Sequence, residues 1–396
     1  MSTEALLCMV LVLLAPFAAA GLALMNTGLG KSRGAAHTML ASLCVLAVAA
    51  LAYLVCGFAV QSYTGGPLRG LFLAGVKFNG SPESLGLLLS MLSAGISAMI
   101  PLGAGSDRWK LSSCCFSTAV FAGLIFPLFA NWVWGRGWLA QNGFLDAGGA
   151  ATVHAAGGLA ALSIVWILGA RRGKYVDGVP AALPGHDAVL VILGCLLALV
   201  GWLGLNGAGA ILYGHLAAGG VVLVAVNTIL SAGAATLTAA LVTRARYHRP
   251  DASLCSNGWT GGLVASSAVA AIASPVAAAL IGLMSGALVA LSVETLDLRL
   301  SIDDPGGAIS VHGVAGIWGS LAVGFFAQGD WIAQMAGIAT LLGFVFPLTY
   351  GANRLLNRFR PIRVAPEGER TGMDLHELGA GAYPEFVTHH DDLFSR

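Results

Sequence analysis

Charge is scarce in this chain. Lys, Arg, Asp and Glu make up 10% of its 396 residues and the net charge is +1. That balance excludes a strongly basic surface for nucleic acid. Cysteine is sparse too: the seven (Cys8, Cys44, Cys56, Cys114, Cys115, Cys195, Cys255) lie in or beside apolar segments with no CxxC spacing. They read as small buried hydrophobes and imply neither metal site nor disulfide. No Ser/His/Asp set, metal triad or phosphate loop occurs, so neither catalytic residues nor a cofactor are expected. What the chain has instead is 57% hydrophobic residues, 54 glycines and a mean hydropathy of +0.81. This is the composition of an all-α integral membrane protein whose helices pack closely through small side chains.

Apolar runs long enough to cross about 30 Å of hydrocarbon fall near 5–28, 35–61, 85–105, 111–134, 148–170, 187–206, 216–243, 257–273, 276–296, 308–327 and 331–353. That makes eleven spans. The first resembles a signal peptide at Ala18-Ala19-Ala20, but it carries Glu4 rather than a basic cluster and stays apolar to Met25. It reads as a retained membrane helix. Lys31 and Arg33 follow span 1, Arg108 and Lys110 span 3, Arg171, Arg172 and Lys174 span 5, Arg244, Arg246 and Arg249 span 7, and Arg354, Arg358, Arg360 and Arg363 span 11. The excess of positive charge after odd spans puts the N-terminus outside and the C-terminus in the cytoplasm.

One phrase occurs twice. Asp146-Ala-Gly-Gly-Ala-Ala-Thr-Val-His154 returns 158 positions later as Asp304-Pro-Gly-Gly-Ala-Ile-Ser-Val-His312. The copies open spans 5 and 10, an odd number of crossings apart, so they run in opposite directions through the membrane. The chain is therefore a five-plus-five inverted repeat with one extra helix, and such repeats place their site near the midplane. Each Asp suits a helix N-cap followed by small residues. Eight helical residues put each histidine about 12 Å inside its span. A single buried histidine reads as a packing residue; a symmetric pair in hydrocarbon reads as a pathway for something polar. Two neutral imidazoles offer a donor and an acceptor facing each other, and can accept or relay a proton.

With these phrases go Trp134-Gly, Gly201-Trp202-x-Gly204-x-Asn206, Val311-His312-Gly313-Val314-x-Gly316-Ile317-x-Gly319 and a tail reading Gly372-Met373-Asp374, Gly379, Ala382-Tyr383. Together they resemble the ammonium transporter family (Amt/Mep/Rh) over essentially the whole chain. The resemblance implies eleven transmembrane helices per subunit, a homotrimer and one pore through each subunit. It makes Trp134 the aromatic face on which an ammonium ion rests by cation–π attraction, although Trp132 and Trp138 would serve equally as interfacial tryptophans. It makes Asp146 a buried cap of the outer vestibule, with Asn206 and Asp304 as further structural residues there and at the inner end. It makes His154 and His312 a pore pair sharing a hydrogen bond. The implied function is transport of ammonium or ammonia, by deprotonation at the outer vestibule and separate passage of ammonia and proton. A bare ion would not cross a dry apolar pore.

The chain departs from the family where ammonium would be received. Two stacked phenylalanines are expected; Leu205 stands at one position, the other falls on or near Ser93, and no aromatic lies between Ser81 and Asp107. Gly209 replaces a serine that would accept the ion's hydrogen bond, and Gly307 replaces an inner aspartate. Either other residues refill the gate, with Met91, Leu92 and Phe144 as candidates, or the entrance is wider and admits a methylated or alkyl ammonium or a polyamine. A non-conducting ammonium sensor is the third reading. Sensors of this family usually carry a fused kinase or cyclase, and this chain has none.

The reading divides the chain into a transmembrane domain over 1–354, with halves at about 5–170 and 187–327 and the extra helix at 331–353, and a cytoplasmic regulatory tail over 355–396. The resemblance implies that the tail packs on the inner loops and that this face accepts the PII signalling protein. His389, His390, Asp391 and Asp392 read as a solvated end rather than a metal site. His37 and His186 read as ordinary surface or interfacial residues, Asp107, Arg108, Arg171 and Arg172 as membrane-face anchors, and Glu294 and Asp297 as solvated helix ends. A bacterial-type inner membrane is the expected location.

Overall fold

The computed structural model describes residues 2–63, 69–135, 137–327 and 329–383. Among the described residues the chain forms eleven membrane-length helices: α1 Thr3–Leu29, α2 Ser32–Gln61, α3 Pro82–Gly105, α4 over 111–133, α5 Ala150–Leu168, α6 Ala188–Leu212, α7 Ala218–Tyr247, α8 Ala252–Val269, α9 Pro275–Leu298, α10 Ile309–Phe326 and α11 Trp331–Phe359. Helix α8 alone misses the apolarity of a spanning segment. It does so because it lies inside the bundle against α7, α9 and α10, where Asn257, Thr260 and Ser266 are buried among neighbours instead of lipid. It starts and ends several residues earlier than the 257–273 read from hydropathy, since Asp251 caps it by accepting from the Leu254 N–H. Outward, Leu43, Val189, Val276 and Ile332 leave large apolar side chains exposed, as a lipid-facing surface requires.

Small residues bring the helices together. In the α1–α6 pair a Cβ at Gly201 would run into the Ala18 backbone. In the α7–α9 pair one at Gly286 would run into the Ala235 carbonyl. The two phrase-bearing helices meet the same way: a Cβ on Gly158 of α5 would strike the Gly313 amide of α10. That backbone contact lies one residue past His312, so it is what holds the two histidine-bearing turns side by side.

The loops after α1, α3, α5, α9 and α11 gather at one end of the bundle with the tail. There Lys110 N–H donates to the Ile362 carbonyl and Val364 N–H to the Arg108 carbonyl, making a short antiparallel bridge. A two-residue hairpin, β1 Tyr175–Val176 with β2 Val179–Pro180, decorates the α5–α6 loop. A short helix, α12 Pro366–Thr371, carries the tail onward to Tyr383. The His389–Asp392 segment lies outside the described residues.

Candidate functional site

Both repeated phrases enter the bundle as buried turns rather than as helices. In each, the second glycine takes a left-handed conformation, Gly149 at φ 86° and Gly307 at φ 65°, which only glycine adopts at no steric cost. Regular hydrogen bonding begins after that glycine, with a wide π-type turn, Ala150–Ala155 and Ile309–Val314, before the α-helix proper. This corrects the geometry read from the sequence. The histidines do not hang eight helical residues below a cap; the turn itself descends, and each histidine lies within the first turns. Such wide turns mark functional sites in helices, and no local pattern in the sequence announces them.

His154 is fully buried and His312 is 3% exposed. Their rings lie 5.4 Å apart between centroids and 30° from parallel. The resemblance implied a hydrogen bond between them; both nitrogens of His154 and Nδ1 of His312 are without a hydrogen-bond partner among the described residues. His154 is held instead by Trp202, stacked at 4.8 Å and 9°. The Val153 carbonyl next to it accepts from Ser97 Oγ of α3 at 2.6 Å. His154 is thus positioned by packing, with both ring nitrogens unpartnered among the described residues.

Asp146 caps α5 from within the protein. Its Oδ2 accepts from the Ala151 and Thr152 amides at 3.1 and 2.7 Å and from the Thr152 hydroxyl at 2.7 Å. Burial pushes its carboxyl above the usual range against these bonds. Its carbonyl accepts from Trp134 Nε1 at 2.9 Å. Trp134 is therefore tied to the turn that leads to His154, whereas Trp132 and Trp138 pack against each other and, for Trp132, on Phe344. Asn206 bridges α6 to α7 and α8 through Thr228 and Ser266.

The altered gate positions fall as follows. Leu205 and Ser93 are both buried. Gly209 presses α6 on the turn of Asp146: a Cβ there would run into the Ala147 carbonyl oxygen. Of the candidates to refill the gate, Phe144 packs on Gly337 instead. One face of Trp134 is covered by Tyr213, stacked at 4.6 Å and 6°. Its hydroxyl bonds Ser90 at 2.9 Å; Ser90 accepts from Gln61, and Gln61 in turn from the Tyr53 hydroxyl. The sequence hides this arrangement, because a tyrosine just past an apolar run reads as an interfacial residue.

At the tail end, Arg108 and Arg171, read as membrane-face anchors, are buried partners of an acidic residue, whereas Arg172 is exposed and Glu294 and Asp297 stay partly exposed. Arg171 grips Asp303 with Nε and Nη2 at 2.9 and 3.0 Å and reaches Asp107 at 3.1 Å. Arg108 is fully buried and donates to the carbonyls of Gly169, Ser106 and Asp303. Burial lowers its guanidinium to about 10. Burial opposes ionisation of Asp303, but Arg171 and Arg108 outweigh it and hold the carboxyl below the usual range. Asp297 pairs with Lys174 at 2.8 Å and Glu294 with Arg246 at 2.7 Å. His37 is buried against Glu377 at 2.8 Å, and His186 contacts the Gly30 carbonyl and the Tyr383 hydroxyl. Arg363 of the tail caps the end of α5, donating to the carbonyls of Leu168 and Ala170.

Residues 5–383 match the model of the Ammonium Transporter Family. The chain is 34% identical to the ammonium transporter Amt2 of Archaeoglobus fulgidus, over 98% of this chain and 89% of that one. It is 31% identical to the ammonium transporter of Bacillus subtilis, over 92% and 94%. Among solved structures it is similar to one described as a sensor Amt protein, with TM-score 0.89 at 27% identity, covering 94% of this chain and 98% of that one. Candida albicans Mep2 follows it at TM-score 0.83 and 25% identity, covering 97% and 90%.

Proposed function

The chain belongs to the ammonium transporter family, and from that premise we propose that ammonium reaches Trp134, gives up its proton in the vestibule shaped by Asp146, and passes His154 and His312 as ammonia. The proton travels separately. The observation that carries this reading is the buried histidine pair with His154 unpartnered at both nitrogens. An ion would lose its hydration there without compensation, while a small neutral amine pays far less. Free imidazole nitrogens give ammonia alternating donors and acceptors. The Trp134–Tyr213 stack narrows the entrance despite Leu205, Ser93 and Gly209, which favours ammonium over a larger amine.

Several further assignments rest on resemblance and on charge. The subunit assembles as a homotrimer in a bacterial-type inner membrane. The tail end of the bundle faces the cytoplasm, because Arg and Lys concentrate there. Residues 355–396 form a regulatory tail on a transmembrane domain over 1–354. The PII protein docks at the groove lined by Lys31, Arg33, His186 and Arg370.

The test is current on a solid-supported membrane from purified protein in liposomes, pulsed with ammonium, methylammonium and larger amines. The reading expects an ammonium current that His154→Ala abolishes. A current only for a bulkier amine, suppressed by Leu205→Phe, would replace ammonium as substrate. Silence with every amine would point to a sensor or a neutral gas channel.

A further inference from the structure

Helix α11 ends in a charge imbalance. From Trp331 to Pro366 the chain carries four arginines and no Asp or Glu. Arg363 is engaged inside the protein, with Glu369 and with the carbonyls of Leu168 and Ala170. Arg354, Arg358 and Arg360 are exposed, and none has a hydrogen-bond or ion-pair partner among the described residues. Elsewhere at this end of the bundle Arg171, Lys174 and Arg246 each meet a carboxylate.

A cluster of rings stands over these arginines. Phe346, Tyr350, Arg354 and Arg358 follow one another at four-residue spacing along the regular part of α11, Phe346–Phe359. Their side chains therefore form one slanted ridge. Trp166 of α5 joins the upper half of it, with its ring 5.6 Å from Phe346 and 6.3 Å from Tyr350. The Phe346 and Tyr350 rings lie 6.3 Å apart. Trp166 is 60% exposed, so the cluster sits on the outside of the bundle. About 20 residues of a helix cross the hydrocarbon. Counted from Trp331, that places Arg354 at the tail-side boundary and the three rings just within it.

A single arginine at such a boundary is an ordinary membrane anchor. This ridge differs because it joins an aromatic surface at acyl-chain depth to two guanidinium groups one helical turn apart at headgroup depth. The planar guanidinium fork matches phosphate oxygens. A zwitterionic headgroup neutralises its phosphate with its own cation, whereas three uncompensated arginines favour a headgroup with net negative charge.

We propose that this ridge is a binding site for an anionic phospholipid. The headgroup phosphate lies between Arg354 and Arg358, Arg360 adds to the positive field, and an acyl chain lies against Trp166, Phe346 and Tyr350. None of these residues takes part in the transport reading, so the site is tested by lipid retention and not by current. The three arginines make no internal contact, and replacing them removes no support of the fold.

Native mass spectrometry of the full chain in mild detergent, titrated with phosphatidylglycerol or phosphatidylcholine, reads the site directly. The parent is expected to hold phosphatidylglycerol more tightly than phosphatidylcholine. Arg354→Gln with Arg358→Gln should weaken phosphatidylglycerol by about thirtyfold, the effect of two surface cations on an anionic lipid. Trp166→Ala, which changes no charge, should weaken it by about fivefold, the worth of one aromatic contact. Arg244→Gln with Arg249→Gln, a pair equally exposed and unpartnered at the end of α7, should leave it unchanged. Equal retention of the two lipids overturns the proposal, as does an equal loss in the α7 pair, which would make the arginines a diffuse charge. An unchanged affinity in Trp166→Ala removes the aromatic half of the site. Inorganic phosphate that displaces the lipid at equal concentration would make the ligand a soluble phosphate and overturn the lipid assignment.

Discussion

Tyr213 lies flat on Trp134, 4.6 Å away and 6° from parallel, and the proposed transport reading makes this pair the pore entrance. The stack uses one face of the tryptophan, so an ion held by cation–π attraction must approach the other. Tyr213→Ala opens the entrance and should raise methylammonium current relative to ammonium by about tenfold, the discrimination carried by a methyl-sized difference in an apolar pocket. Tyr213→Phe keeps the stack and should keep the ratio. A ratio unchanged in Tyr213→Ala would remove Tyr213 from the gate.

Gly209 invites a wrong repair. Restoring serine there looks like restoring an ammonium ligand, but its Cβ would run into the Ala147 carbonyl. Gly209→Ser should therefore destabilise the protein by roughly 1–3 kcal/mol through overpacking, lowering the melting temperature in detergent. A variant as stable as the parent and with tighter ammonium binding would contradict that geometry.

Asp303 holds two buried guanidinium groups. Asp303→Ala leaves Arg108 without its carboxylate and Arg171 with Asp107 alone, a loss on the order of 3–5 kcal/mol for a broken buried pair. Poor folding yield and loss of the thermal transition are the expected readouts. Because its carboxyl is held below the usual range, the pair stabilises the fold above the unfolded carboxylate range and is lost as pH falls through the lower folded value.

Asp304 has the opposite sign. Its carboxyl is raised to about 6, chiefly by burial, so the folded state binds a proton more readily than the unfolded one. Between the ordinary Asp value of roughly 4 and about 6, this residue makes stability fall as pH rises. Melting temperatures across that window should lose this slope in Asp304→Asn, which keeps an oxygen to cap α10. A slope retained in the variant assigns the proton elsewhere.

Gly149 carries the descent of the first phrase. With φ at 86° and Val153 packed against it, Gly149→Ala should cost about 1–2 kcal/mol for the left-handed backbone alone. Circular dichroism melts compared with Gly173→Ala, an exposed positive-φ glycine with open space around it, separate the two contributions. The Gly149 substitution should prove the more costly.

Long apolar runs, the twinned phrase and the basic loops were enough to read eleven helices and to single out His154, His312 and Asp146, while Trp134 came from the family resemblance alone. These signals survive in one dimension because hydrocarbon forces each span to be apolar and continuous. Helix α8 strained that logic, since burial among other helices relaxes the demand for apolar side chains. The tail-end arginines and aspartates misled for a related reason: a charged loop reads as solvated, and only the folded chain reveals that Arg108 and Arg171 are enclosed with Asp303.

What the sequence determined by itself was the number of spans, their alternation and the placing of two histidines in opposed repeats, all consequences of hydropathy and of a repeated local pattern. The tertiary structure alone decided that Tyr213 stacks on Trp134, that the histidines sit on wide turns without bonding each other, and that Ser310 Oγ is left without a partner among the described residues. Each of those depends on a backbone turn or on a contact between distant helices. Such contacts are set by which glycines let two backbones touch, and composition along the chain does not record which partner each glycine meets.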